Sequence, residues 1–106
     1  MADYLVTGVG GFIGAAVAKN LLDNGHRVIG IDNLTTGYEN NIPCGCEFYK
    51  AHCQDASLYN RLPELKYDAI FHIAGQSSGE ISFDDPVYDL RTNAESTLHL
   101  LKFALA

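Results

Sequence analysis

Three glycines, Gly8, Gly11 and Gly14, recur at intervals of three residues directly after the apolar run 4–6. The run predicts a buried strand, and residues 12–24 predict the helix that follows the glycines. Glycines here permit a tight strand-to-helix reversal, a close approach of a ligand to the backbone, and close packing of helix on strand. Because a helix N-terminus offers unpaired N–H groups and the positive end of its dipole, this turn favours a pyrophosphate site. Glycines at this spacing also occur in loops that bind nothing, so the neighbouring residues must decide.

A carboxylate at the end of the second predicted strand supports the pyrophosphate interpretation. Gly25 is placed to end the helix, and residues 27–32 form a second apolar run that ends in Asp32. Asp32 lies 18 residues beyond Gly14, close to where dinucleotide-binding folds place the acid that hydrogen-bonds the adenosine ribose. A strand-end Asp can also serve only as a turn former. In combination with the glycines, the ribose-binding role is favoured.

The same carboxylate favours one cofactor over another. Hydrogen bonds from ribose hydroxyls to a carboxylate contribute about 1.5–3 kcal/mol each. A 2′-phosphate in the same place would set like charges about 4 Å apart, which costs on the order of 4 kcal/mol per unit pair at an effective dielectric constant of about 20. Residues 33–37, which follow Asp32, include no Arg or Lys that could hold such a phosphate. The sequence therefore predicts NAD rather than NADP.

Four segments in the same order and at similar separations carry a family resemblance. They are Thr-Gly-Val-Gly-Gly-Phe-Ile-Gly at 7–14, Ile-Asp-Asn-Leu-Thr-Thr-Gly at 31–37, Phe-His-Ile-Ala-Gly at 71–75 and Thr-Asn-Ala-Glu-Ser-Thr at 92–97. The chain resembles the extended short-chain dehydrogenases/reductases, specifically the NAD-dependent nucleotide-sugar epimerases and dehydratases, from one end to the other. The resemblance implies that residues 1–106 are the amino-terminal portion of an NAD-binding Rossmann domain, part of a longer enzyme.

The resemblance also implies roles for individual residues. Backbone of Phe12 and Ile13 is expected to meet the pyrophosphate, Asp32 and its loop to hold the adenosine ribose, and Ala74 to line the nicotinamide-side ribose. Thr92 is expected close to the cofactor, with Asn93 fixing the local backbone. The predicted cofactor-binding residues are Gly8, Gly11, Phe12, Ile13, Gly14, Asp32, Asn33, Leu34, Thr36, Gly37, His52, Cys53, Ile73, Ala74, Gly75, Gln76 and Thr92.

Two positions depart from the family pattern. His52 stands where a carboxylate often meets the adenine amino group, so an imidazole would have to stack on the ring or hydrogen-bond it, or would have no ligand role. Ser96 replaces a glycine that usually precedes the Thr of the last segment.

The loop after the fourth predicted strand contains Gln76, Ser77 and Ser78. These residues are candidates for nicotinamide or substrate contacts, or form an ordinary polar loop.

The Tyr-x-x-x-Lys pair that provides the general base of this family does not occur in the chain. Its six tyrosines are followed four residues later by Gly8, Ile42, Cys53, Pro63, Phe71 and Thr92. No catalytic residue is therefore predicted, and the chain by itself is expected to bind NAD without turnover. Hydride transfer between a sugar carbon and NAD is expected of the full-length enzyme. A stand-alone, non-catalytic NAD-binding or sensing module is the alternative.

Charge and composition exclude several partners. A net charge of −6 would repel nucleic acids and anionic membranes. The sequence has neither a secretory signal nor a transmembrane segment, so a cytoplasmic location is expected. Cys44, Cys46, His52 and Cys53 are close enough to suggest zinc, but the single-residue spacer in Cys44-Gly45-Cys46 is too short for a typical structural site. We predict no metal and no disulfide.

Alternation of strands and helices predicts an α/β, Rossmann-like parallel sheet of about four strands in the order 3-2-1-4. The strands are expected near 3–7, 27–32, 47–51 and 68–73, with a loop over 33–46. Asp55 is expected to cap a short helix over 56–62, and Asp85-Pro86 to start a helix over 86–104. The fourth strand would be an unpaired apolar edge, so the chain is expected either to associate through this edge and the last helix, as a homodimer, or to be a fragment of a longer product. The predicted core stripe of that helix is Leu90, Ala94, Thr97, Leu98 and Leu101.

Overall fold

A single parallel sheet organises the molecule. The structure is a computed structural model that describes residues 1–34, 37–74, 85, 87 and 91–105, with residue 92 described by its backbone only. In these ranges the sheet has four strands in the order β3-β2-β1-β4, which confirms the predicted order. The strands are β1 (Asp3–Thr7), β2 (Arg27–Asp32), β3 (Glu47–Lys50) and β4 (Ala69–His72).

The two central strands are buried on both faces, as expected for a parallel sheet covered on each side. Leu5 and Ile29 point to one face, and Val6 and Val28 to the other, all with no solvent exposure. Successive side chains of a strand point to opposite faces, so continuous apolar runs are needed to fill both. The register pairs Leu5 with Ile29 across β1 and β2 and with Ile70 across β1 and β4.

Helix α1 (Phe12–Asp23) crosses from β1 to β2 on the face that holds Val6 and Val28. Its predicted end is residue 24, but the helix ends at Asp23, and Asn24 is its C-cap. Gly25 follows with φ +83°. A positive φ is easily adopted by glycine, which makes it a suitable residue just after a helix. The crossover therefore brings the chain back to begin β2 beside β1.

Two short 3₁₀ segments lie between the strands. The first, Glu39–Asn41, falls within the stretch predicted as loop. The second, Ala56–Asn60, replaces the predicted helix over 56–62. Asp55 caps it as predicted, since a carboxylate oxygen accepts the Ser57 N–H at 3.1 Å. Leu58 from this segment is fully buried against the face of the sheet that holds Leu5 and Ile29.

The last helix differs from the prediction in where it begins and in which face it buries. A π-helical turn, Arg91–Glu95, precedes α2 (Ser96–Leu105). The proposed Asp85-Pro86 start cannot be evaluated, because residue 86 lies outside the described residues. Ser96 and Leu100 are the buried residues of α2.

The predicted core stripe of this helix is wrong. Leu98 and Leu101 are 52% and 57% exposed, and Ala94 and Thr97 are also exposed, while Leu90 is outside the described residues. Apolar residues occur on two sides of this helix, so their spacing alone could not select the buried one. The π-helical turn also changes the angular phase that a continuous α-helix from residue 86 would have had.

Several features of the fold determine where a ligand can lie. The carboxyl ends of β1 and β4 meet where the strand order reverses, which is where open α/β sheets bind ligands. In the described part of the chain, β4 pairs with β1 alone.

No helix in the described ranges is long and apolar enough to span a membrane.

Candidate cofactor site

The glycine turn brings the start of α1 against the end of β1. Gly8 has φ +72°, and a Cβ there would lie 2.8 Å from the Ala74 backbone nitrogen. A Cβ on Gly14 would lie 2.0 Å from the Gly8 carbonyl oxygen, whereas a Cβ on Gly11 would meet that oxygen at 3.4 Å. Gly8 and Gly14 are therefore needed for packing, and Gly11 leaves the ligand side of the turn without a side chain.

The first turn of α1 has backbone N–H groups that no carbonyl of the same helix accepts. Gly11 is the N-cap, so it offers no side-chain cap, and the Ala15 N–H bonds back to its carbonyl oxygen at 3.0 Å. The first N–H groups of any α-helix have no partner within the helix. Phe12 and Ile13, which carry them here, have exposed side chains. The geometry suits an anion such as a pyrophosphate.

The carboxylate of Asp32 is held in one orientation by two backbone amides. One oxygen accepts the Gly10 N–H at 2.7 Å, and the other accepts the Leu34 N–H at 2.8 Å. Leu34 adopts φ +62° to make this bond. A carboxylate has about four acceptor positions, so each oxygen keeps one for a further donor. Asp32 can therefore accept two ribose hydroxyls without changing its rotamer.

A second loop is fixed to the glycine turn beside Asp32. The Gly10 carbonyl oxygen accepts the Tyr38 N–H at 3.0 Å and the Asn41 Nδ2–H at 3.1 Å. A Cβ on Gly37 would lie 2.8 Å from that same oxygen, so glycine permits the contact. The roles of Gly10, Tyr38 and Asn41 were missed from the sequence, because no motif marks a loop that contacts a turn about 30 residues away.

The predicted adenine end combines two accessible side chains and one buried one. Asn33 and His52 are hydrogen-bonded, with the Asn33 Nδ2 to His52 Nδ1 distance at 3.1 Å, and both are accessible. Cys53 is buried in the core with Leu5 and Leu58, and burial raises its pKa to about 12. The Cys53 thiol therefore cannot face a ligand, and only its backbone could serve the predicted binding role.

The predicted nicotinamide end is built around the hydroxyl of Thr7, which is fully buried. It accepts the Ile73 N–H at 3.0 Å and the Ala74 N–H at 3.1 Å. It also lies 2.8 Å from Nδ1 of His72, and Nε2 of His72 lies 3.3 Å from the hydroxyl of Ser96. Burial lowers the pKa of His72, which favours the neutral imidazole. Sequence reasoning identified Ile73 and Ala74 but missed Thr7, His72 and the contact with Ser96.

Some predicted positions cannot be located. Thr36, Gly75, Gln76, Ser77 and Ser78 lie outside the described residues, as does the side chain of Thr92. The Thr92 backbone belongs to the π-helical turn.

No group of three or more metal-ligating side chains occurs in the part of the chain that the structure describes. Cys44, Cys46 and Cys53 are free thiols. Burial raises the pKa of Cys46 to about 11. Burial therefore keeps the Cys46 and Cys53 thiols protonated at neutral pH.

A 3-2-1-4 parallel sheet, a glycine turn at the start of a helix and a strand-end carboxylate together define a Rossmann-type dinucleotide-binding fold. The chain belongs to the NAD dependent epimerase/dehydratase family, whose model matches residues 4–106. The resemblance predicted from the four sequence segments is thereby confirmed, and the family description agrees with NAD as the predicted cofactor.

Individual relatives agree with this assignment. The chain is 41% identical to a UDP-glucose 4-epimerase of Mycolicibacterium smegmatis over 94% of its own length and 34% of the relative's. Among solved structures, a UDP-glucose 4-epimerase of Thermotoga maritima with UDP-glucose has TM-score 0.92 and 36% identity, covering 97% of this chain and 34% of that one. A Thermus thermophilus UDP-glucose 4-epimerase in complex with NAD has TM-score 0.86 and 35% identity, covering 95% and 33%. The chain thus spans about a third of the length of the relatives it matches.

Proposed function

We propose that this chain is the NAD-binding amino-terminal part of a nucleotide-sugar epimerase or dehydratase. In the longer protein, hydride would pass between a sugar carbon and NAD. The observation that carries the proposal is the Asp32 carboxylate, fixed by the amides of Gly10 and Leu34 next to the N-terminus of α1. The family match and the NAD-bound relative support the same cofactor.

The residues present fit the groups of a dinucleotide. The first amides of α1 would hold the pyrophosphate, and Gly11 lets it approach the backbone. Asp32 would accept the hydroxyls of the adenosine ribose, with Gly37 closing the loop beside it. Ala74, fixed by Thr7, would line the nicotinamide-side ribose. Bound NAD supplies an acceptor for hydride.

Selectivity for NAD would come from the same carboxylate. Since both Asp32 oxygens already accept an amide, the side chain is not free to turn away from a phosphate. Coulomb repulsion at about 4 Å amounts to on the order of 4 kcal/mol at an effective dielectric constant of about 20, and solvent exposure reduces it. We therefore expect NADP to bind about 100-fold more weakly than NAD, which corresponds to about 2.7 kcal/mol.

The chain alone would not turn over a sugar. No tyrosine in it is followed four residues later by a lysine, and a general base must lie within hydrogen-bond reach of its proton. Nucleotide-sugar binding would require the remainder of the longer protein. Incubation with UDP-glucose and NAD is expected to give no UDP-galactose by chromatography, and sustained turnover would contradict this part of the proposal.

We also propose a homodimer, which the outer face of α2 supports. Leu98, Leu101 and Leu105 are 52%, 57% and 87% exposed and recur at helical spacing. Association through this helix would bury them, and the edge of β4 offers a second contact. Sedimentation should give a dimer that Leu101→Glu weakens at least 10-fold, whereas a monomer at every concentration would contradict the homodimer.

Interaction with nucleic acids or membranes is not proposed, and a cytoplasmic location remains part of the proposal.

Calorimetric titration with NAD tests the binding claim. Asp32→Ala removes at least one charge-assisted hydrogen bond, so we expect the dissociation constant to rise 10- to 100-fold, which is about 1.4–2.7 kcal/mol. Asp23→Ala is the matched control, because Asp23 is an exposed carboxylate at the far end of α1, paired with Lys19. It should bind NAD as the wild type does. Equal binding by Asp32→Ala and the wild type, or no binding by the wild type, would overturn the proposal.

A further inference from the structure

A row of three hydrogen-bonded polar side chains, with Thr7 and Ser96 fully buried and His72 half-buried, connects β1, β4 and α2 at the proposed nicotinamide end of the site. The hydroxyl of Thr7 lies 2.8 Å from Nδ1 of His72, and Nε2 of His72 lies 3.3 Å from the hydroxyl of Ser96. Thr7 and Ser96 have no solvent exposure. Buried polar groups of this kind are retained where each has a partner, so their proton positions can be worked out from the contacts.

The contacts of Thr7 determine where its own proton points. A hydroxyl has two acceptor positions and one proton. The Ile73 N–H and the Ala74 N–H, at 3.0 and 3.1 Å, occupy both acceptor positions. The proton is therefore the group that Thr7 can offer to His72, and Nδ1 of His72 must accept it.

The contacts of His72 follow from that assignment. An Nδ1 that accepts carries no proton, so the neutral imidazole carries its proton on Nε2. That nitrogen faces the Ser96 hydroxyl, which can accept it. Burial lowers the pKa of His72 and so favours this neutral form. The Thr7–His72 and His72–Ser96 contacts are thus consistent with a single tautomer of His72.

We propose that His72 is a positioning residue for the cofactor site, held as the Nε2–H tautomer by Thr7 and Ser96. By accepting the Thr7 proton, His72 keeps both acceptor positions of Thr7 directed at the amides of Ile73 and Ala74. These amides begin the segment that leaves β4 toward the predicted nicotinamide-side ribose. Ser96 links the same imidazole to α2, so His72 also fixes the position of α2 relative to Ile73 and Ala74.

The proposed role rests on the proposed NAD site, and its first test does not. In the ¹⁵N-labelled chain without ligand, two-bond and three-bond ¹⁵N–¹H correlations report the tautomer of His72. A protonated Nε2 with an unprotonated Nδ1 is expected. A protonated Nδ1, or an averaged signal from both tautomers, would overturn the assignment whether or not the chain binds NAD.

Two substitutions at His72 separate positioning from general destabilisation. His72→Asn provides Oδ1, which can accept the Thr7 proton as Nδ1 does, whereas His72→Leu provides no acceptor. We expect amide exchange of Ile73 and Ala74 to accelerate about 10-fold or more in His72→Leu and less than 3-fold in His72→Asn, since a lost hydrogen bond is worth about 1.4 kcal/mol. Amide exchange of Leu5, which lies two residues before Thr7 in β1, serves as the internal reference. It should change equally in both variants.

Cofactor affinity supplies the last readout. The dissociation constant for NAD should rise about 10-fold in His72→Leu and less than 3-fold in His72→Asn, by the same hydrogen-bond estimate. Ser96→Ala should leave amide exchange and the Nε2–H tautomer of His72 near those of the wild type, because the Thr7 proton still requires Nδ1 to accept. Equal exchange and equal NAD binding in the Leu and Asn variants would overturn the positioning role. Loss of NAD binding in the wild type would instead contradict the proposed function, leaving tautomer and exchange to be judged alone.

Discussion

The two ends of the proposed cofactor site use polar groups in opposite ways. At the adenosine end, the carboxylate of Asp32 is fixed by two backbone amides and keeps acceptor positions for a ligand. At the nicotinamide end, Thr7 and His72 are committed to one another and to the Ile73 and Ala74 amides. The first end offers a side chain to the ligand, and the second uses side chains to hold backbone.

This difference has consequences for selectivity and for stability. Asp32 is partly buried whereas Thr7 is fully buried, so we expect replacement of the carboxylate to cost less folding free energy, although it frees the Gly10 and Leu34 amides. Its replacement also changes which cofactor binds. A buried hydroxyl that satisfies two amides cannot be removed without leaving them unpaired. We therefore expect substitutions at the adenosine end to change binding, and substitutions at the nicotinamide end to change folding as well as binding.

Gly14→Ala should have the largest effect, because it disturbs both ends at once. A Cβ there would lie 2.0 Å from the Gly8 carbonyl oxygen and 2.6 Å from its carbon, so α1 must move away from β1. We expect a loss of about 3 kcal/mol or more in the free energy of unfolding, measured in urea, together with loss of NAD binding.

Gly25→Ala is the matched control for this substitution. Gly25 has φ +83° with no atom within 4 Å of an added Cβ, so it tests backbone strain without a clash. A loss of about 1–2 kcal/mol with NAD binding unchanged is expected. If Gly14→Ala and Gly25→Ala lose the same free energy of unfolding, the close packing of Gly14 on Gly8 does not support the two ends of the site.

Thr7→Val tests the nicotinamide end alone. Valine has nearly the same shape, but it leaves the Ile73 and Ala74 amides without their acceptor. We expect a loss of about 2–4 kcal/mol in the free energy of unfolding, since each buried unsatisfied group costs about 1–3 kcal/mol. Thr7→Ser keeps the hydroxyl and should lose less than about 1.5 kcal/mol. Similar losses in the two variants would mean that packing, not the hydroxyl, supports this end.

Acid should destabilise the fold through His72. Its pKa is lowered from the ordinary value of 6.5 by burial, so below that pH the unfolded chain binds more protons than the folded one. The contribution of His72 is therefore fully present above pH 6.5 and is lost as the pH falls through the folded-state pKa. Urea denaturation between pH 7.5 and pH 5 should show that the free energy of unfolding depends less on pH in His72→Asn than in the wild type. Identical pH dependences would contradict a half-buried, neutral imidazole at position 72.

His52→Ala should have the smallest effect, at the adenosine end. Its hydrogen bond with Asn33 is exposed, and such a bond contributes about 0.5–1.5 kcal/mol. We expect the dissociation constant for NAD to rise less than about 5-fold, and the free energy of unfolding to fall by no more than about 1.5 kcal/mol. A rise above about 30-fold, measured by calorimetry, would show that His52 contacts the adenine directly.

Sequence reasoning placed residues correctly in the fold where neighbouring residues carry the information, while the binding roles of those residues stay predictions. The glycine turn and the strand-end Asp32 each have a spacing that follows from the geometry of a strand, a turn and a helix. The parallel order of the strands followed from alternation and was confirmed. These features depend on residues close in the chain or on a rule that holds for the whole fold class.

Other features depend on contacts between distant residues. Thr7 and His72 are 65 positions apart, so no local pattern shows that one accepts the proton of the other. In α2, Leu98 and Leu101 are as apolar as Leu100, and only the packing of the folded chain selects Leu100 for the core. The π-helical turn before α2 likewise has no signature among the residues that form it.

The ratio of NADP to NAD dissociation constants, measured by calorimetry on the wild-type chain and on Asp32→Ala, tests the central claim most directly. We expect a ratio of about 100 in the wild type, from the repulsion between Asp32 and a 2′-phosphate. The ratio should fall below about 5 in Asp32→Ala, because the charge is gone. Equal binding of the two cofactors by the wild type, or tighter binding of NADP, would contradict the account.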